Sequence, residues 1–206
     1  DAPNPETGEK PLPELHLITH VAVQPASESD AGALPLAIAS AQKIGLGPKE
    51  VLADTAYGGA TNREEAHKMG VELLAPTPGT ASEKALTLAD FAAAATGEIL
   101  QCPCGQQPLR AERMEERLTA YFDRNICVKC PCLKECPVKV GKRGAPLRYT
   151  PKDRRLALRR RYEKQPEFRE KYRWRAGVEG ANALYDRLTG AKRLRVRGVR
   201  KVEFCA

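Results

Sequence analysis

No run of 18 or more apolar residues occurs anywhere in the 206-residue chain, which excludes a membrane-crossing helix. Nucleotide fingerprints are missing too: there is no Walker loop or dinucleotide-binding glycine pattern, and Gly58-Gly59 is too short to wrap a phosphate. No Ser/His/Asp arrangement is present, so serine-hydrolase chemistry has no motif. There is no internal repeat. The start is polar and acidic, without a secretory leader, and opens on Asp1 rather than Met. Such a start, and an end just after an apolar-basic segment, give the expectation of a piece cut from something longer. Histidine is scarce, at three. His16 and His20 share a face of one predicted strand and read as ordinary sheet residues rather than ligands. His67 falls on a polar helix. For Trp174, the one tryptophan, stacking on a flipped base competes with the commoner role of buried anchor.

Charge is present but unevenly spread. Residues 1–100 hold 6 Lys and Arg against 14 Asp and Glu, a balance of −8; residues 101–206 hold 28 against 12, a balance of +16. The second figure exceeds the magnitude of about 2–8 that keeps a small domain soluble. It points to a polyanionic partner, nucleic acid first, with a merely solvated basic surface as the alternative. Apolar residues make up 42%, enough for a packed core in one or two modest domains.

Along the chain, residues 14–23 read as a β-branched, aliphatic strand. Ser29 and Asp30 offer a cap to a helix over 31–44, with Leu34, Leu36, Ala37, Ile38, Ala41 and Ile44 on its buried side. Residues 50–54 form a short strand, Thr61 or Asn62 caps a helix through Met69, and residues 71–75 form another strand. This alternation is the α/β pattern, in which polar chemistry gathers at the carboxyl ends of strands. Asp54 lies at such an end. Residues 79–150 break the rhythm, with a strand expected at 98–101. A basic helical run follows over 149–172, carrying Arg154, Arg155, Arg159, Arg160, Arg161, Lys164, Arg169 and Lys171, and Pro166 should kink or divide it. One helix is expected from Phe168 to Leu188, ending at Gly190, then a strand at 194–197.

Six of the seven cysteines crowd into one segment, as Cys102-x-Cys104 and Cys127-x2-Cys130-x-Cys132-x3-Cys136, with Cys205 outside it. Close pairs of thiolates suit tetrahedral Zn²⁺, and the absence of His favours a structural over a catalytic ion. The segment has few large apolar residues, so a metal would help to order it. An iron–sulfur cluster ranks lower, because the spacing follows neither ferredoxin pattern. Reduced, unligated thiols are the remaining alternative.

Two carboxylates stand apart from the rest. Asp54 follows the strand Val51-Leu52-Ala53 and precedes a glycine turn. Glu179 closes the run Tyr172-x2-Arg175-x3-Glu179, whose i, i+3, i+7 spacing puts the three on one helix face. The plain alternatives are that Asp54 caps a turn, that Tyr172 packs in a core and that Arg175 merely pairs with Glu179.

That run resembles the Y-x2-R-x3-E signature of bacterial insertion-sequence DDE transposases, in the group with a cysteine-rich insertion before the catalytic Glu. The signature continues x6-Lys; here that place is Asp186, with Arg187 beside it. Leu17-Ile18-Thr19-His20-Val21, the turn bearing Asp30, Ala53-Asp54-x2-Tyr57, residues 70–76, Cys102-Pro103-x-Gly105, Cys127-x2-Cys130-Pro131, Cys136 and residues 190–198 resemble the family in the same order. The resemblance spans nearly the whole chain. It implies a ribonuclease-H-like α/β catalytic core, N-terminally truncated, with residues 1–78 and 151–206 as core and 79–150 as a zinc-knuckle insertion.

It further implies metal-dependent DNA cleavage and strand transfer at insertion-sequence ends, with Asp54 and Glu179 holding Mg²⁺ or Mn²⁺. The first Asp would lie upstream, neither Asp1 nor the cap-like Asp30, leaving this piece inactive alone. Tyr172, Arg175, Arg173, Arg187, Arg159 and Arg160 would contact DNA. Cys102, Cys127, Cys130 and Cys136 match the family's positions and become the preferred zinc ligands, with Cys104 and Cys132 as alternates. A homodimer of the full-length protein and a cytoplasmic, nucleoid-associated location are the corresponding expectations. The competing reading is a non-catalytic, zinc-stabilised nucleic-acid-binding protein.

Overall fold

The computed structural model describes residues 18–25, 27–80, 84–190 and 200–202. The chain divides into two compact units, Asp1–Ala75 with Tyr172–Ala206, and Pro76–Lys171.

In the first unit, residues 18–25 have no regular secondary structure, so the described part of the expected strand is not one. A strand needs a ladder partner for its backbone groups, and none of the described residues pairs with it. The Ser29 hydroxyl accepts from Ala31 N at the head of a 3-10 turn, Asp30–Gly32. This leads into α1, Ala33–Lys43, which buries Leu34, Ile38 and Ala41 at helical spacing. Leu36 and Ile44, expected on that face, are 68% and 58% exposed. Two residues advance a helix by about 200°, which turns Leu36 away from Leu34.

Strand β1, Glu50–Leu52, and strand β2, Glu72–Leu74, pair in parallel with Val51 opposite Leu73. Parallel pairing needs a crossover, supplied by α2, Ala60–Lys68. Gly70, at φ +74, makes the turn out of α2 that few other residues tolerate. Leu34, Ile38, Ala66, Val71, Leu73 and Ala75 form the core. The cap of α2 is Gly59, not Thr61 or Asn62. Asn62 is buried inside the first turn because its amide donates to Ala31 O at 2.9 Å and Tyr57 O at 3.2 Å.

The second unit begins with a short antiparallel pair, β3 (Ala92–Ala93) and β4 (Ile99–Gln101). A three-stranded antiparallel sheet follows, from β5 (Arg110–Met114), β6 (Arg117–Phe122) and β7 (Ala145–Tyr149), in that order across the sheet. Alternation buries Leu118, Ala120 and Phe122 from β6 opposite Tyr149, Leu147 and Ala145 from β7. Phe91, Ile99 and Val138 complete this core. The Tyr149 hydroxyl ties it to the first hairpin, accepting from Ile99 N at 2.9 Å and donating to Gly97 O at 3.1 Å.

The cysteine segment carries one short helix, α3, Arg124–Val128. Helix α4, Pro151–Glu163, opens on a reciprocal cap between Thr150 and Asp153. Pro166 begins α5, Pro166–Tyr172, and so divides the basic run as its missing N–H requires. The single helix expected over 168–188 is instead α5, a 3-10 turn at Arg173–Arg175, and α6, Ala176–Thr189. Tyr172, Arg175 and Ala176 all keep right-handed helical dihedrals, so the path tightens without turning away. Gly190, at φ +69, closes α6. The strand expected at 194–197 lies outside the described residues. Among the described residues no helix is long and apolar enough to cross a membrane.

Candidate functional site

Asp54 leaves β1 where the chain turns into a 3-10 segment, Thr55–Tyr57, which it caps. Its Oδ1 accepts from Ala56 N at 2.9 Å. The capping role expected of such an Asp therefore uses one oxygen. The other, Oδ2, faces Arg175 Nη2 at 3.8 Å. Arg175 Nη1 lies 3.7 Å from Glu179 Oε1. One guanidinium thus stands between two carboxylates, and its two terminal nitrogens are only about 2.3 Å apart in a planar fork, which keeps those oxygens within roughly 10 Å of each other. Glu179 is 77% and Asp54 46% exposed at the side chain, open enough to exchange partners.

The Asp54 turn is held from behind. Arg63 donates to Gly58 O at 3.0 Å, Leu73 O at 3.2 Å and Ala75 O at 2.6 Å, joining the turn to the end of β2. Asn62 fixes Tyr57 O. Burial, then the charges of Asp30 and Asp54, push the Tyr57 phenol up from its ordinary range, so it stays a neutral hydroxyl beside the two acids. Asp30 does not cap its turn, since Ser29 does; its carboxylate accepts from Gln24 Nε2 at 2.8 Å.

The basic residues fall into two groups. Arg173 and Arg187 are exposed, and Tyr172 is half-buried. Arg159 is engaged inside the second unit: it pairs with Glu163 at 3.5 Å and lies over the rings of Tyr162 and Phe168 at 5.1 and 5.4 Å. Arg160 donates to Pro78 O and Gly79 O, both at 3.1 Å, and Arg161 to Ala89 O at 2.5 Å. Trp174 is 60% exposed and is no buried anchor.

The six cysteines of the 102–136 segment converge. Cys102, Cys104, Cys127, Cys130 and Cys136 line one cavity of about 30 Å³, with Leu86, Phe122, Ile126, Leu133 and Val138 as its apolar wall. The sulfurs of Cys104, Cys130 and Cys132 lie within 4.8 Å of one another. Cys102-Pro103-Cys104-Gly105-Gln106 is a tight knuckle: Gly105 N donates to Cys102 O at 2.9 Å, and Gln106 N to Cys102 Sγ at 3.3 Å. Gly105 sits at φ +84, which the turn needs. That N–H to sulfur contact fixes where Cys102 Sγ stands relative to the turn. Residues 84–85 brace the Glu135–Cys136 end of the cluster, with Lys84 Nζ donating to Cys136 O and Ala85 N to Glu135 Oε2 at 3.0 Å. Thiol-rich donors in this setting fit a soft or borderline ion such as Zn²⁺.

Residues 101–205 match the family model described as Transposase DDE domain. The chain belongs to that transposase family. Members are nucleotidyl-transfer enzymes that act on DNA with divalent metal ions. The matched span of the transposase domain includes the cysteine cluster, α4, Arg175 and Glu179; Asp54 lies before it. No curated protein and no solved structure matches the chain.

For this transposase domain, sequence reasoning singled out Asp54, Arg175 and Glu179, and the structure brings the three together. It missed Arg63 and gave Asn62 only a capping role, although both position the Asp54 turn. The available signal was a lone arginine and an asparagine among small residues at the start of a short helix. It ranked Cys104 and Cys132 as alternates, yet they belong to the tightest sulfur group in the structure.

Proposed function

We propose that Asp54 and Glu179 are the last two acids of the DDE set, on a ribonuclease-H-like core, and that they hold Mg²⁺ or Mn²⁺ for cleavage and strand transfer at insertion-sequence ends. The observation that carries this reading is the Arg175 guanidinium lying against both carboxylates, 3.8 Å from one and 3.7 Å from the other. Two hard-oxygen donors from distant parts of the chain meet around one cation, which fits a divalent ion. Such an ion supplies charge neutralisation and an activated attacking oxygen. The chain's own part is to bring the acids together, through the Asp54 turn braced by Arg63 and the start of α6. Arg175, once released, is placed to take a DNA phosphate, with Tyr172, Arg173 and Arg187 along the same segment and Arg187 standing for the family's lysine. Arg159 and Arg160 act mainly by holding α4 in place while its basic surface meets the backbone. The first acid is assigned to none of these residues, so this chain alone is expected to be inactive. Zn²⁺ on Cys102, Cys127, Cys130 and Cys136 is the structural ion of the insertion.

The zinc-stabilised, non-catalytic reading is favoured by the sulfur cluster but leaves the meeting of Asp54 and Glu179 without a role. Mn²⁺ titration followed by electron paramagnetic resonance separates the two. Asp54→Asn and Glu179→Gln should each weaken Mn²⁺ binding by about tenfold or more, roughly 1.4 kcal/mol. In the complete transposase, Asp54→Asn should abolish divalent-dependent cleavage while zinc content stays unchanged. Unaltered Mn²⁺ binding and cleavage in these variants would sink the catalytic reading.

A further inference from the structure

One tetrahedral zinc takes four thiolates, but this cluster assembles six. The two left over by the preferred set, Cys104 and Cys132, are not directed elsewhere. They group with Cys130, all three sulfurs lying within 4.8 Å of one another and Cys104 Sγ at 3.4 Å from Cys130 Sγ. Two thiolates on one zinc, each at about 2.3 Å, lie roughly 3.8 Å apart. The spacing of this trio is therefore that of ligands on a shared ion. Cys102, Cys127 and Cys136 form the other side of the cluster, packed against the core of Phe122, Val138 and their neighbours. Cys130 belongs to both sides: like Cys104 it lines the cavity while standing in the trio, and its own backbone N donates to Cys127 O at 3.1 Å, which ties it to Cys127 as well.

We propose that this centre takes two zinc ions per chain, one on Cys102, Cys127, Cys136 and Cys130, the other on Cys104, Cys132 and the same Cys130 sulfur, which bridges them. The inference rests on the zinc reading above and extends it from one ion to two. The inner ion has four thiolates. The outer ion has three, and a solvent oxygen completes its tetrahedron on the exposed side. Each thiolate formed releases its proton to water, so loading is proton-linked. Six thiolates and two Zn²⁺ leave a net charge of −2, and Lys84, hydrogen-bonded to Cys136 O, is placed to offset part of it.

The test is metal content and cadmium spectroscopy on the whole chain, purified reduced with zinc and passed into metal-free buffer. Elemental analysis should give two zinc ions per chain. The protein loaded with ¹¹³Cd should show two resonances in the thiolate region, split by coupling through the shared sulfur. The double variant Cys104→Ser/Cys132→Ser should fall to one ion and one resonance. One ion in the unaltered chain overturns the two-ion inference and leaves a single structural zinc. No bound ion overturns both readings. A second ion with an oxygen-type cadmium shift, or one retained by the double variant, places it elsewhere and also overturns the inference. Two uncoupled thiolate resonances overturn the shared role of Cys130, and this readout does not depend on any variant folding.

Discussion

Arg175 Nη2 lies 3.8 Å from Asp54 Oδ2, although the second unit, Pro76–Lys171, separates the two residues in sequence. The same side chain reaches Glu179. A guanidinium in that place neutralises the acids and competes with any ion they bind. Removing it as Arg175→Ala should tighten Mn²⁺ binding by about threefold to tenfold, while weakening DNA binding. Stability should change by no more than about 1 kcal/mol, as is usual for exposed ion pairs. Paramagnetic titration reads the first effect and fluorescence anisotropy on labelled DNA the second. A loss of Mn²⁺ affinity in this variant would contradict the competition.

Arg63 carries more stability than its place on a polar helix suggests. It donates to three carbonyls, of Gly58, Leu73 and Ala75. A hydrogen bond involving a charged group contributes about 1.5–3 kcal/mol net, and bonds sharing one guanidinium do not add in full. Arg63→Met should destabilise the first unit by about 2–3 kcal/mol in urea unfolding, and Arg63→Lys should recover little, because one ammonium cannot span three acceptors. Full stability in the Lys variant would show that the fork geometry is unimportant.

Tyr149→Phe isolates one polar link in the second core. The hydroxyl accepts from Ile99 N and donates to Gly97 O, and the residue is 3% exposed. Leaving a buried N–H without its acceptor costs about 1–3 kcal/mol. The variant should lose that much by thermal or urea unfolding, with hydrogen exchange rising first at Ile99.

Much of the first unit was legible because helical and strand periods alternate cleanly there: Ser29 before α1, the short apolar β1 and β2, Gly70 after α2. The antiparallel sheet of the second unit was not. Its outward positions are Arg110, Glu112, Arg117 and Arg148, and small alanines hold Ala120 and Ala145, so charge hides the period of two. The β5–β6 turn places Glu115 at φ +54, without the Asn-Gly or Gly signal that marks a hairpin. For the sites, local spacing placed Arg175 beside Glu179, and the chemistry of thiolates marked the knuckle. Which sulfurs stand closest depends on folded turns that spacing alone does not rank.

The metal-free protein should become less stable in alkali. Hydrogen bonds with the Cys132 and Cys130 thiols, then burial, push Cys104 up to about 12. An unfolded cysteine titrates near 8.5. Between those values the unfolded chain binds fewer protons than the folded one, so stability falls as pH rises. The stabilisation is fully present below about pH 8.5 and is lost on the way to about 12. Circular-dichroism melts in the presence of a chelator should show the melting temperature dropping over that window. Zinc should abolish the dependence by removing the proton.

DNA binding should depend steeply on salt, because residues 101–206 carry a balance of +16. If six to ten phosphates are neutralised, raising salt from 50 to 200 mM lowers affinity about 10³- to 10⁵-fold. A nearly flat salt response in a titration series would rule out backbone-dominated binding.

The second unit is one continuous stretch of chain, whereas the first is built from the two ends that flank it. During synthesis Pro76–Lys171 emerges complete and can close its core at once. Asp54 emerges long before the guanidinium that meets it. Vectorial folding therefore makes the pairing of Asp54 with Arg175 and Glu179 a late event, made only after everything between them has left the ribosome. A chain halted anywhere inside the second unit carries Asp54 without its partners, so none of those products has both acids.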